Sequence, residues 1–186
     1  DVHALIASSL DLADAAFLSG NISFVGDSEA KVMNLGSINA DEFAALIGGD
    51  VVNSGSILSN GGAVGLLAAD TTFQVGEASG GSISLDVSGL LQGTAMQDGL
   101  IDASGINSNG GDVLVKGVNS VIATTESSTI ADGGVTGNGG EIIYFSENSA
   151  SWKPGSIISA EGGAEGGDGG FVELSGLLDL QLSGSH

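Results

Sequence analysis

The sequence has no cysteine and no arginine, a single proline (Pro154) and only three lysines, Lys31, Lys116 and Lys153. Each shortage excludes something. Without cysteine there is no disulfide and no thiolate metal site. Three cations face 23 acidic residues, for a net charge of −20, so the chain repels a polyanion. Nucleic-acid binding needs Lys and Arg to replace the counterions on phosphates and is therefore excluded. Glycine does not recur every third residue and proline is nearly absent, which excludes collagen. No apolar run approaches the roughly 18 residues of a membrane-spanning helix. The apolar start, Asp1 to Phe17, lacks a basic leading segment and does not read as an intact signal peptide.

What is present is glycine and apolar side chains. Of 186 residues 33 are glycine, well above the average of roughly 7%. A glycine-rich acidic chain suggests disorder, but 41% of the residues are hydrophobic. Disorder requires too little apolar surface to offset chain entropy, and that condition is not met. The length suits one domain with a substantial core.

The sequence repeats itself. Asn-x-Gly-Ser-Ile occurs at Asn34 to Ile38 and again at Asn53 to Ile57, 19 residues on, with looser echoes at Gly99–Ala103 and Gly155–Ala160. A second unit is a Gly-Gly pair followed by a short run: GGAVGLLA, GGSISLDV, GGDVLVKG, GGEIIYFS and GGFVELSG. Their second glycines are Gly62, Gly81, Gly111, Gly140 and Gly170. The content is regular and the spacing is not, as expected of one structural turn that sometimes carries an inserted loop.

The runs alternate with period two. Val113 and Val115 point one way, Asp112, Leu114 and Lys116 the other, and Ile83, Leu85 and Val87 alternate with polar residues. This is the pattern of half-buried strands bounded by turn formers. Helical signal is scarce and strongest at Asp14–Leu18, where Asp14 is placed to cap one short turn. Asp41–Ile47 has some helical character, but its place inside the first repeat favours strand or loop. Trp152-Lys153-Pro154-Gly155 reads as a turn. These features predict an all-β parallel, right-handed β-helix solenoid of about seven to nine turns, with a column of Val, Ile and Leu as its core. Glycines at the corners supply positive φ, and Asn34 and Asn53 stack as a side-chain amide ladder. An antiparallel sandwich, the main competitor, does not explain why the same unit recurs with the same face pattern.

Candidate chemistry is sparse. His3 and His186 lie at opposite ends of the sequence. Carboxylate pairs able to cleave a glycan would be Asp86 with Asp112, or Glu141 with Glu173, if neighbouring turns align them. The more ordinary role for these acids is to solvate an outer face. Glu161–Gly170 has some likeness to a calcium-binding Gly-Gly-x-Gly-x-Asp repeat but carries Glu165 where glycine is needed. The binding candidates are Trp152, with Lys153 beside it, and Tyr144. An exposed Trp152 would grip a sugar ring or a partner, and a buried one would cover the end of the core. No catalytic residue, metal ligand or cofactor site is expected.

Three stretches resemble a known family. Ser9-Leu10-Asp11-Leu12, then Asp14 to Gly20, then Asn21 to Gly26, are similar to the secretion domain of filamentous-haemagglutinin-type exoproteins of two-partner secretion. Gly36 to Asp70 resembles their Asn-x-Gly-x-Ile-x-Ala step and Gly-Gly-x-Val-x-Leu strand. Gly155 to Gly176 is similar to their glycine-rich passenger repeats. The family's Asn-Pro-Asn-Gly hallmark is absent. The resemblance implies a single β-helical solenoid over 1–186, with 1–33 matching the downstream part of a secretion domain and 34–186 forming glycine-rich turns, as a fragment of a longer chain. It further implies a secreted or cell-surface Gram-negative protein, exported by an outer-membrane two-partner-secretion transporter, that serves as a non-enzymatic adhesin-like scaffold. Its partners would be surface glycans or proteins, or copies of itself stacked end to end as an extracellular filament. A polysaccharide-active enzyme is the other alternative.

Overall fold

The computed structural model describes residues 2–12, 14, 18, 22–76 and 82–183. The helical turn expected over Asp14–Leu18 and the residue His186 fall largely or wholly outside them. The chain is all-β in its regular ladders and most strand pairs are parallel. It begins with β1 (Val2–Ser8), followed by β2 (Asp11–Leu12) and β3 (Ile22–Val25). From there it visits three parallel ladders in a fixed order. The first pass is β4 (Lys31–Asn34) and the long β5 (Ser37–Ile47), and the second is β6 (Asp50–Asn53), β7 (Ser56–Leu58) and β8 (Ala63–Ala68). A hairpin, β9 (Thr71–Gly76) and β10 (Ser82–Ser88), then interrupts. The third pass is β11 (Thr94–Gln97), β12 (Leu100–Asp102) and β13 (Asp112–Gly117), and the fourth is β14 (Ser120–Ala123), β15 (Ser128–Ile130) and β16 (Glu141–Ser146). The fifth is β17 (Ser149–Trp152), β18 (Ile157–Ser159) and β19 (Phe171–Gly176), and β20 (Asp179–Leu182) opens a sixth.

The first ladder is β4-β6-β11-β14-β17-β20, the second runs from the start of β5 through β7, β12 and β15 to β18, and the third is β1-β5-β8-β13-β16-β19. β5 serves two ladders: Ser37–Asn39 pair with β7, and Phe43–Ile47 pair with β8. The register brings like residues together. Asn34 falls on Asn53, Ile38 on Ile57, Val64 on Val113 and Val113 on Ile142. Parallel neighbours separated by 19 to 49 residues of chain are thus stacked about 4.8 Å apart.

The inward residues of all three ladders form one apolar cluster. It includes Val51, Ala95 and Val121 from the first, Ile57 and Ile101 from the second, and Leu46, Leu66, Val115 and Tyr144 from the third. The alternation in β13 and β16 matches burial, with Val113, Val115, Ile142 and Tyr144 inside. In β5 and β8 the alternation gives way to continuous apolar runs, FAALI and AVGLLA, because both faces are covered. The outer face of those two strands lies under a small sheet, β2-β3-β10-β9, in a second cluster containing Phe24, Phe43, Leu67, Phe73 and Leu85.

Several expectations need correction. Among the described residues the chain makes five complete passes rather than seven to nine, since β2, β3, β9 and β10 lie in a separate sheet. The run GGSISLDV is not a ladder strand: β10 pairs antiparallel with β9 and parallel with β3 in the covering sheet. Its period-two pattern is the same in either place, so local pattern alone did not distinguish them. The corner glycines also act differently from expectation. Among the described residues, positive φ is confined to Gly26, Gly61, Gly89, Gly155, Gly166 and Gly167. At Gly111, Gly140 and Gly170 a Cβ would instead overlap the carbonyl oxygen of Gly62, Gly111 and Gly140, the matching glycine one pass earlier. Close backbone approach is what demands glycine there. Asp41–Ile47 is strand throughout, and the Pro154 turn is present, closed by Ser156 N donating to the Lys153 carbonyl at 3.3 Å.

The amide ladder is present and longer than expected. Asn34 Nδ2 donates to Asn53 Oδ1 at 2.8 Å, and Asn53 Nδ2 donates to Gln97 Oε1 at 2.8 Å. Gln97 Nε2 ends the series on the carbonyls of Gly99 and Ser128. The same column continues as Ala123, Trp152 and Leu182. It turns from polar to apolar just where Gln97, one methylene longer than Asn, has used its donors.

Candidate functional site

The binding residues read from sequence come together, but inside. Trp152 is 2% exposed and Tyr144 1% exposed. Their rings meet edge to face, 5.2 Å between centroids at 78°, a favoured arrangement. The Tyr144 hydroxyl shares a 2.7 Å hydrogen bond with Thr129 Oγ1, and burial raises its pKa well above the ordinary 10.0. Trp152 Nε1 is buried with no hydrogen-bond partner. The idea of an exposed Trp152 gripping a sugar is corrected: strand β17 turns the indole into the core, because its alternation follows that of Ala150. Lys153 stays half-buried on the turn, where its backbone N–H donates to the Ala123 carbonyl.

The carboxylate pairs are not aligned as expected. Asp86 lies in the covering sheet beside Ser23 and Thr72, whereas Asp112 lies in the third ladder. Glu141 falls on Phe171, and Glu173 falls on Ile143. The register instead sets Asp112 beside Glu141. These two, with Asn109 and Phe171, border an open depression of about 440 Å³ floored by Gly110, Gly139, Gly140, Gly169 and Gly170. Partial burial raises the pKa of Asp112. A second depression of about 310 Å³ lies between Asp41, Asn60, Asp102 and Ile106. Glu161, Glu165 and Asp168 do not converge: among the described residues no three His, Cys, Asp or Glu side chains are grouped to hold a metal ion. His3 Nε2 lies 3.1 Å from Glu42 Oε1 at the start of the chain.

Several outward polar side chains hold one pass to the next. Asp50 Oδ1 accepts the Thr94 N–H at 2.9 Å, and Asp98 Oδ1 accepts the Thr124 hydroxyl at 2.6 Å. Asp132 Oδ1 accepts both the Ser159 hydroxyl and the Glu161 N–H. Asn60 Oδ1 accepts the Ile106 N–H. The residues before three Gly-Gly corners form a further series: Asn109 Oδ1 accepts the Asn138 N–H at 2.9 Å, and Asn138 Oδ1 accepts the Asp168 N–H at 2.8 Å. Sequence reasoning noticed the glycine pairs and missed this. The signal was the Asn or Asp preceding four of the five pairs, in Asn60-Gly61, Asn109-Gly110, Asn138-Gly139 and Asp168-Gly169.

β19 and β20 at one end, and β1 and β4 at the other, each have one neighbour among the described residues. The C-terminal end exposes Phe171, Val172, Leu177, Leu178, Leu180 and Leu182. No protein-family model matches the chain, and no curated protein matches it. Among the described residues no helix is long and apolar enough to cross a membrane.

Proposed function

We propose that the three ladders close into a right-handed parallel β-helix, and that this β-helix is the non-enzymatic scaffold of a secreted, adhesin-like exoprotein of the filamentous-haemagglutinin type. The observation that carries the first half is the fixed visiting order: first, second and third ladder, five times over, around one shared core. A chain that circles a core in one sense through parallel strands is a coil of stacked turns, and right-handed crossovers are the general rule for parallel strands.

The scaffold role follows from how the polar groups are used. Asp50, Asp98, Asp132, Asn109 and Asn138 are occupied in joining successive turns. The other described acids are exposed or half-buried, and a net charge of −20 keeps a β-rich chain soluble. The lack of cysteine suits a chain exported unfolded. The secretion and adhesion parts rest on the resemblance of Ser9–Gly26 and of the glycine-rich repeats to that family.

The test is to present the purified chain to a panel of surface polysaccharides and matrix proteins, measuring retention and release of reducing ends together. The scaffold reading predicts retention without cleavage. Release of reducing ends that disappears in Asp112→Asn or Glu141→Gln, a carboxylate pair the register aligns, would replace it with a polysaccharide-cleaving enzyme.

A further inference from the structure

We infer that the edge of β9 is a docking site for an extended segment of a partner protein, which adds to the four-stranded covering sheet as one more strand. The inference rests on the described sheets and is independent of the adhesin reading.

The covering sheet has two edges among the described residues, β2 and β9. They are built differently. β2 has two residues, one of them Asp11. A short strand carrying a charge is a protected edge. β9 has six residues, Thr-Thr-Phe-Gln-Val-Gly, with no charge, no proline and an unbroken register against β10. None of those usual protections is present, in a chain with 23 acidic residues. In an antiparallel pair every second residue turns its N–H and C=O away from the partner strand. In β9 those groups face the edge, and no further strand pairs with them among the described residues.

The place an added strand would take has an apolar floor. β9 turns back over β8, with Phe73 against Gly65, and β13 and β16 follow β8 in the third ladder. One strand further on, about 4.8 Å away, lie the outward residues of β13, and those of β16 come next. Leu114, Ile143 and Phe145 are half-buried there, and Leu114 packs against the second apolar cluster. The floor is graded in charge. Asp112 and Glu141 are exposed at one end. At the other, Lys116 lies over the Phe145 ring, and its Nζ donates to the Asp70 carbonyl at 2.8 Å, beside the start of β9.

These features define the occupant. Its inner residues are apolar at alternate positions, to lie on Leu114 and Ile143. Its outer residues are polar and uncharged, to pair with the exposed Thr72 and Gln74. At the end beside Thr71 it carries an acid that meets Lys116. At the far end an acid would meet Asp112 and Glu141 and is disfavoured. Antiparallel addition, the more stable pairing, makes the acidic end the C-terminal one. A second copy of this chain does not fit edge to edge. With its inner face turned the same way, its own β8 would fall where β13 lies.

The probe is the capped peptide Thr-Val-Thr-Val-Thr-Asp, titrated into the full chain in about 0.15 M salt and followed by amide hydrogen exchange. Binding is expected to slow exchange at the edge-facing amides of β9 and to leave β2 unchanged. The same peptide ending in Lys is expected to bind about tenfold more weakly, although a chain of net charge −20 attracts it more in general. Lys116→Glu should reverse that order. Ile143→Asp should weaken the acid-ended peptide by about tenfold. N-methylation of the peptide amides that face β9 removes the ladder donors and should abolish binding. Tighter binding of the Lys-ended peptide to wild type would overturn the inference, as would undiminished binding of the methylated peptide or unchanged exchange in β9 at millimolar peptide. The peptide comparisons on wild type need no variant, so they decide the matter even where Lys116→Glu fails to keep its β-sheet circular dichroism.

Discussion

Single residues in this protein act through the neighbouring strand of the ladder, far away in sequence, as much as through their sequence neighbours. Gly140 is a clear case, since a Cβ there would overlap the Gly111 carbonyl oxygen and backbone has little freedom to yield. Gly140→Ala is expected to destabilise the chain by about 3 kcal/mol in urea unfolding. Gly36→Ala should be nearly silent, because nothing lies within 4 Å of the added carbon. Asn53 is the middle rung of the buried amide series. Asn53→Ala leaves Gln97 Oε1 without its 2.8 Å donor, and the loss is expected at about 2–3 kcal/mol.

Tyr144 is the only tyrosine, so it can be followed optically. Burial favours its neutral form and raises its pKa above the ordinary 10.0, so folding binds the proton more tightly than the unfolded chain does. The stabilisation is complete below about pH 10 and is lost as pH rises through the native pKa. At about pH 11 the native chain should show no tyrosinate absorbance, which then appears together with unfolding in denaturant. Tyr144→Phe should remove that steep alkaline dependence while exposing the cost of an unpartnered Thr129 hydroxyl.

At the scale of elements, the covering sheet is what distinguishes the first two passes from the later ones. Phe73 reaches across from β9 to within about 3 Å of the space a Gly65 side chain would fill. Phe73→Ala is expected to cost about 3–4 kcal/mol and to raise amide exchange in β9, β10 and β3 before β13 and β16. The same contrast explains what was legible. Alternation identified β13 and β16 with the correct face inside, and the Asn-x-Gly-Ser-Ile repeat identified the Asn34–Asn53 and Ile38–Ile57 register. Both signals depend on one face meeting solvent or on a recurring unit. The assignment of Ser82–Ser88 to another sheet was not legible, because a strand packed on the outside of a sheet alternates like one within it. Nor was the fate of Trp152: its neighbours Ser151 and Lys153 read as loop, and only the pairing of Ala150 and Trp152 with β14 and β20 turns the indole inward.

At the scale of the whole molecule, stability is set against a charge of −20. Self-repulsion among outward acids is screened by salt. The thermal midpoint should therefore rise from about 10 mM to about 0.3 M sodium chloride, beyond which little further gain is expected. The carboxylates that join turns are less exposed to this screening, and Asp132→Ala should lower the midpoint at every salt concentration alike, since it removes acceptors for Ser159 and Glu161.

The central claim is that segments far apart in sequence are stacked as consecutive turns. Its most direct test is solution NMR of the Asn and Gln side-chain amides. Stacked turns predict slow exchange for Asn53 and Gln97 and a chain of nuclear Overhauser contacts from Asn34 to Asn53 to Gln97, bridging separations of 19 and 44 residues. Rapid exchange of those amides, with no contact between Asn53 and Gln97 in a folded chain, would contradict it.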